Sequence, residues 1–293
     1  MPPLTQPLPP VPRIICYYQT HDSPPGQHVS ILPLITEFTG ITHVILAAIH
    51  LNDDPGNITL NDHPPSHPRF KQLWEELDVL QFAGIPVLGM LGGAAKGSFT
   101  RLDGDDKLFE VYYVPLRDII RTYKLDGLDL DVEENMSLAG VIRLIDRLKA
   151  DFGESFLITL APVATALQAG RHLSGFDYEA LEVLRGAKIS WYNTQFYCGW
   201  GDMQNTSGYD MIMGYGWPAH KVVVGLITNP GNGSGYVAPE VLAPVLVTLR
   251  AKYPSFGGVM GWEYFNSIPG DVDRPWEWAA FMARAVGKGL TSS

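Results

Sequence analysis

The chain has 293 residues, 46% of them hydrophobic and 18% charged, which fits one large globular domain or two small ones and excludes a disordered chain. Its 21 basic and 31 acidic side chains leave a net charge of -10, so neither nucleic acid nor an anionic membrane surface is an expected partner. Two cysteines, Cys16 and Cys198, are too few for a disulfide scaffold or a Cys-rich zinc module, and both are read as buried thiols.

Residues 1–12 are Pro-rich and read as an extended lead-in, with neither the charged start nor the apolar stretch of a signal peptide. From 13 to about 290 one pattern recurs: a short β-branched apolar run, then a longer amphipathic stretch. The runs are RIICYYQ (13–19), ITHVILAAIHL (41–51), IPVLGMLGG (85–93) and LDGLDLDVE (125–133). SFLITLAPV (155–163), KISWYNTQFY (188–197), HKVVVGLIT (220–228) and FGGVMGWEYF (256–265) follow. None approaches the roughly 18 apolar residues of a membrane span.

Between the runs, 70–82 places Leu73, Trp74, Leu77 and Leu80 on one helical stripe, and 141–152 does the same with Ile142, Ile145, Leu148 and Phe152. The stretch 106–123 reads as a helix with a kink or break near Pro115, and Pro239 and Pro275 sit where first helical turns would start. The segment 52–69 is too long for an ordinary connection and predicts an ordered loop or hairpin over one end of the fold. Eight strand–helix repeats in about 250 residues predict a single-domain α/β fold, a (β/α)8 TIM barrel. An open doubly wound sheet is the alternative, but no Gly-rich dinucleotide fingerprint follows the first strand.

The most informative stretch is Asp126-Gly-Leu-Asp-Leu-Asp-Val-Glu133. A strand repeats every two residues, so Leu128, Leu130 and Val132 face one way and Asp129, Asp131 and Glu133 the other. In a barrel the apolar set packs on the outer helices. The carboxylates then point inward and climb to the C-terminal rim, where barrel active sites lie. Three like charges in a low-dielectric interior cannot all stay ionised, so at least one proton is kept near neutral pH. Glu133, nearest the rim, is the expected holder, as a general acid. Two carboxyls with separated pKa values suit glycoside hydrolysis. Spacing alone leaves open an oxygen-ligated Mg²⁺ or Ca²⁺, or structural pairing with basic residues. Against pairing, Arg13, Lys188 and Lys221 all lie at strand starts, the wrong end.

The segment DGLDLDVE resembles the fourth-strand signature of glycoside hydrolase family 18. The resemblance extends through MLGG (90–93), LAPVA (160–164), NTQFY (193–197) and GGVMGWEYFN (257–266), nearly the whole chain. Within the family it is most similar to fungal endo-β-N-acetylglucosaminidases that cut the chitobiose core of N-glycans, and more distantly to class III chitinases. The resemblance implies a retaining, substrate-assisted mechanism in which the sugar's own 2-acetamido group is the nucleophile, with no metal and no cofactor. It assigns Glu133 as acid/base, Asp131 as the residue that orients the acetamido N–H and stabilises the oxazolinium, and Asp129 as the group that tunes Asp131. Tyr197 would hydrogen-bond the acetamido carbonyl, and Trp262 would floor the site under the sugar. Gln195, Asn193, Tyr17, Gln19, Gly92 and Gly93 are further candidates for substrate binding.

Two departures stand out: Met90 replaces the Ser of the family's third-strand SxGG, and Cys198 stands where many members carry an acid or amide. Tyr18 could line the mouth with Tyr17 and Gln19, and Trp200 and Trp217 could stack on distal sugars. His43 and His50 read as core or rim histidines, and Glu263 as a structural residue facing away from Trp262. The implied activity is hydrolysis of the GlcNAc-β1,4-GlcNAc bond of N-glycan cores, with possible transfer to another acceptor. The alternatives are a chitinase or chito-oligosaccharide hydrolase and an inactive barrel lectin. A GlcNAc-containing oligosaccharide is the expected partner and a monomer the expected state. Four N-x-S/T sequons, at Asn57, Asn135, Asn205 and Asn232, point to a secreted protein, and the unpaired cysteines and lack of a visible signal to a cytoplasmic one.

Overall fold

The computed structural model describes residues 11–24 and 26–287, so most of the Pro-rich lead-in and residues 288–290 lie outside the described residues. Eight parallel strands close on themselves: β1 (Arg13–Tyr18), β2 (His43–Leu51), β3 (Val87–Gly92), β4 (Gly127–Asp131), β5 (Leu157–Leu160), β6 (Trp191–Gln195), β7 (Val222–Ile227) and β8 (Gly258–Trp262). The sheet runs in chain order, and β1 pairs with both β8 and β2, which closes the barrel. After the successive strands come helices α1 (Pro33–Thr36), α2 (Lys71–Phe82), α3 (Asp106–Thr122), α4 (Leu138–Phe152), α5 (Tyr178–Arg185), α6 (Ser207–Gly214), α7 (Pro239–Lys252) and α8 (Glu277–Ala285). The fold is the (β/α)8 barrel that the eight repeats predict.

Alternation along the strands sorts the core into two layers. Leu128, Leu130, Ile14, Val44 and Val224 pack outward against the helices, with Leu73, Leu116 and Leu144. Ile15, Ile45, Leu88, Trp191, Val223 and Met260 fill the interior. At the N-terminal end the Arg13 guanidinium lies 4.5 Å from the Trp191 ring centre and the His43 ring meets the same indole edge-on, so His43 belongs to the barrel floor.

The segment 52–69 is the ordered hairpin the sequence predicts. Ile58–Leu60 returns antiparallel along the end of β2, with His50 opposite Thr59. Asn61 holds it down: its Oδ1 accepts from Ala48 N and its Nδ2 donates to Gln19 O.

Two expectations are corrected. Helix α3 runs unbroken through Pro115. Its four buried residues Phe109, Tyr113, Leu116 and Ile120 anchor both halves to the barrel, and that packing outweighs the one backbone bond a proline removes. Helix α8 begins at Glu277, two residues past Pro275, whereas Pro239 does open α7. Helix α4 starts at Leu138, earlier than its apolar stripe, because the Ser137 hydroxyl accepts from Gly140 N and caps it.

Candidate active site

β4 ends at Asp131, so of the three carboxylates Asp129 and Asp131 lie inside the barrel and Glu133 stands two residues past the last rung. The alternation still holds. Asp129 is fully buried, Asp131 is 7% exposed, and Glu133 is half-buried at the mouth, while Val132 is packed outward.

Asp129 is saturated with donors. The Tyr17 hydroxyl reaches Oδ2 at 2.8 Å, and the Thr159 hydroxyl and the Asn193 amide reach Oδ1 at 2.5 and 3.0 Å. Burial pushes its pKa up, and all three donors favour the anion and pull the other way. Asp131 accepts one weaker bond, from Gln195 Nε2 at 3.2 Å, and the same nitrogen donates to Ala161 O at 2.9 Å. Burial, with Glu133 on one side and Asp129 on the other, holds the Asp131 carboxyl well above the usual carboxylate range. Burial also raises Glu133, and the Gln195 amide and the Lys96 ammonium oppose that rise. Both carboxyls are thus pushed toward holding a proton, Asp131 by burial and a like charge on each side, and Glu133 by burial alone. Asp131 sits between those two charges, whereas Glu133 is half-exposed at the mouth with a cation nearby.

These groups open into a cleft of about 470 Å³. It is lined by Gln19, His50, Met90, Gly92, Gly93, Asp131, Glu133, Gln195, Tyr197, Trp200 and Trp262, among others. The Trp262 ring lies 5.5 Å from that of Tyr17. Gly92 and Gly93 have φ of +92° and +89°, and a Cβ on Gly92 would meet the Asp131 carbonyl at 2.7 Å. Glycine at both lets the chain turn off β3 hard against β4, where Gly93 N donates to Asp131 O at 2.9 Å. Met90, where the family has Ser, sits beside Asp129 in register; the hydroxyls on Asp129 come instead from Thr159 and Tyr17.

Several candidates fall elsewhere. Asn193 is fully buried and accepts from the Trp191 indole while donating to Asp129. It supports the carboxylates from below and does not line the cleft. Tyr17, 1% exposed, plays the same supporting part. Tyr18 faces outward and donates to Val29 O, because it has the opposite parity to Tyr17. Trp217 packs edge-on against Tyr192 in the outer core. Cys198 is exposed: the strand has ended by Gln195, the residue adopts a left-handed conformation (φ 54°), and its N–H donates to Ser234 O. Cys16 is buried, as expected.

Two acids contribute structurally. Glu263 accepts from Thr20 N, Thr20 Oγ1 and Gln19 N at 2.7, 2.8 and 3.2 Å, which pins the end of β1 at the mouth. Glu134, missed by strand parity, accepts from Gly97 N, Phe99 N and Thr100 Oγ1. Its one sequence signal is that it is a second glutamate immediately after Glu133.

Two further cavities adjoin the cleft, and Lys96 and Arg101 line both. One, of about 820 Å³, shares Gln19, His50 and Ala95 with it; the other, of about 790 Å³, shares Glu133 and Leu173. Asn232, at the cleft, exchanges hydrogen bonds with Asn266 and donates to Trp262 O, so the side chain of this sequon is engaged in the fold.

The barrel thus carries its column of carboxyls up to a cleft that Trp262 also lines. The family model "Glycosyl hydrolases family 18" matches residues 13–228, and the chain belongs to that family. The structure of the chitinase ChiC from Aspergillus fumigatus is similar, at 58% identity and TM-score 0.87, covering 93% of this chain and 99% of that one. So is a fungal endo-β-N-acetylglucosaminidase of the same family, at 48% identity and TM-score 0.92, covering 96% and 100%. Among curated relatives, Chitinase 2 of Rhizopus oligosporus is 31% identical over 147 residues, 47% of this chain and 25% of that protein. Endochitinase 4 of Metarhizium robertsii is 24% identical over 233 residues, 64% of this chain and 66% of that one. The chain thus spans between a quarter and two thirds of the length of these two curated relatives.

Proposed function

We propose that the protein is an endo-β-N-acetylglucosaminidase that hydrolyses the GlcNAc-β1,4-GlcNAc bond of N-glycan cores by a retaining, substrate-assisted route. The observation that carries this reading is the shape of the mouth beyond the cleft. Past His50 and Gln19 the cleft widens into the 820 Å³ basin, walled by Asn52, Asn57, Thr59, Asn61 and Asp62 of the β2 hairpin. Its lining holds one carbocyclic ring, Phe70, which is 2% exposed. A linear chitin chain gains from flat aromatic platforms under successive sugars. A branched, hydroxyl-rich glycan needs width and amide partners, and the basin offers both.

In this reading Glu133 protonates the glycosidic oxygen and later takes a proton from the attacking water. Asp131 orients the acetamido N–H and, as its carboxylate, stabilises the oxazolinium charge as it forms. Asp129 lies beneath it, held by its three donors. Tyr197 holds the acetamido carbonyl under the anomeric carbon, and Trp262 carries the sugar's apolar face, so rate comes from positioning as well as proton transfer. The exposed asparagine of the Asn205 sequon, which lies outside the lining of these cavities, supports a secreted protein.

A chitinase is the second reading, favoured by the 58% identity to ChiC. Incubation with a pyridylaminated N-glycan and, separately, with colloidal chitin decides between them. Release of the glycan with one GlcNAc left on the tagged end is expected, and fast chitin turnover without glycan release reverses the ranking.

A further inference from the structure

Glu133 lies between two anchored neighbours. On one side the Asp131 carbonyl accepts from Gly93 N at 2.9 Å. On the other the Glu134 carboxylate, 8% exposed, accepts from Gly97 N at 2.8 and 2.9 Å, Phe99 N at 2.8 Å and Thr100 Oγ1 at 2.7 Å. Both anchors reach the same segment, 93–100, which leaves β3 through the Gly92–Gly93 turn. Its far end is also tied to β2, where Leu51 N donates to Ser98 Oγ at 3.0 Å. The segment carries Lys96, which lines the 790 Å³ cavity together with Glu133 and Glu134. Gly97 turns with φ +120°, a conformation L side chains rarely adopt.

We propose that Glu134 is a positioning residue for the reaction: its clamp on 97–100 fixes the backbone that carries Glu133 and the place from which the Lys96 ammonium faces it. This rests on Glu133 being the acid/base, which both functional readings share. The clamp is charge-assisted, and such bonds are about twice as strong as neutral ones.

Other groups face Glu133 as well. Asp131 and Asp129 come from β4, and Gln195 and Tyr197 from β6 and its end. Tyr178 opens α5, and His172 lies in the loop before it. Arg101 is turned to Asp53 in an ion pair. Lys96 is the cation that lowers Glu133 against the effect of burial. A lysine held there, with the Gln195 amide, opposes the rise that burial imposes on the acid/base.

The test compares kcat, KM and the pH profile of kcat/KM for wild type, Lys96→Met, Glu134→Ala, Glu134→Gln and Glu133→Gln on one hydrolysed substrate. Lys96→Met should move the alkaline limb up by about half a pH unit, less in high salt. Glu134→Ala should cut kcat about tenfold with KM within about twofold, and Lys96→Met added to it should no longer move the limb. Glu134→Gln keeps an acceptor for the Gly97 and Phe99 amides and should recover most of kcat. Folded Glu134→Ala with wild-type kcat and alkaline limb overturns the proposal; so does Lys96→Met with an unmoved limb, which decides the matter if the alanine variant does not fold. Glu133→Gln separates the two claims: if it turns over normally, the reading of Glu133 fails first.

Discussion

The Tyr17 hydroxyl donates to Asp129 Oδ2 at 2.8 Å, from the first strand of the barrel to the fourth. With Thr159 and Asn193 it gives Asp129 three donors, which favour its anion against the upward push of burial.

Tyr17→Phe removes the hydroxyl and keeps the ring against Trp262. A hydrogen bond to a charged group is worth about 1.5–3 kcal/mol, of order tenfold to hundredfold in rate if it is felt at the transition state. We expect kcat to fall by at least tenfold with little change in Tm. Steady-state kinetics and a melting curve check this; unchanged kcat would show that Asp129 does not need the phenol.

The buried carboxyls also set a sign for stability. Asp131 has a folded pKa raised above its unfolded value, so the native state binds the extra proton. Stability from this group is full below the unfolded pKa and is lost as pH rises through the folded one. Asp131→Asn should therefore raise Tm at neutral pH by a few degrees, about 2–6 °C, and flatten its decline with pH while removing activity. Melting curves from pH 4 to 8 test it. A lower Tm at pH 7 would mean that Asp131 is stabilised as an anion.

Gly93→Ala places a Cβ 2.9 Å from Met90 Cε and 3.6 Å from Asp131 Oδ2, at φ +89°. A left-handed L-residue costs about 1–2 kcal/mol. We expect a Tm lower by several degrees and a loss of kcat that exceeds the loss of folded protein, because the clash falls on Met90 in the cleft and the strained turn carries the N–H that donates to Asp131 O. Chemical denaturation with activity per folded molecule is the check; wild-type activity per folded molecule would show that the turn is purely structural.

The column of acids was legible because strand parity is a local rule, and Leu128, Leu130 and Val132 marked its other face. Trp262, Tyr197 and Gln195 were placed through the resemblance, and the cleft brings all three to Asp131. Depth along the barrel axis was not legible. Asn193 and Gln195 share a face, yet one is sealed under Asp129 and the other reaches the cleft. Nothing in NTQFY shows where the strand sits vertically. Parity also fails once a strand ends. Cys198 left the interior, and Glu134, whose parity points outward, became the clamp for 97–100. The supporting acids Glu263 and Glu134 bind backbone amides of distant loops, and loop placement follows from closure of the whole barrel rather than from local pattern.

The central claim is that Glu133 delivers and later removes the proton at the scissile oxygen. Turnover of Glu133→Gln against wild type on the same GlcNAc-linked substrate, with Tm matched, tests it most directly. A loss of at least about 10²-fold is predicted; a well-folded variant that hydrolyses at the wild-type rate would contradict it.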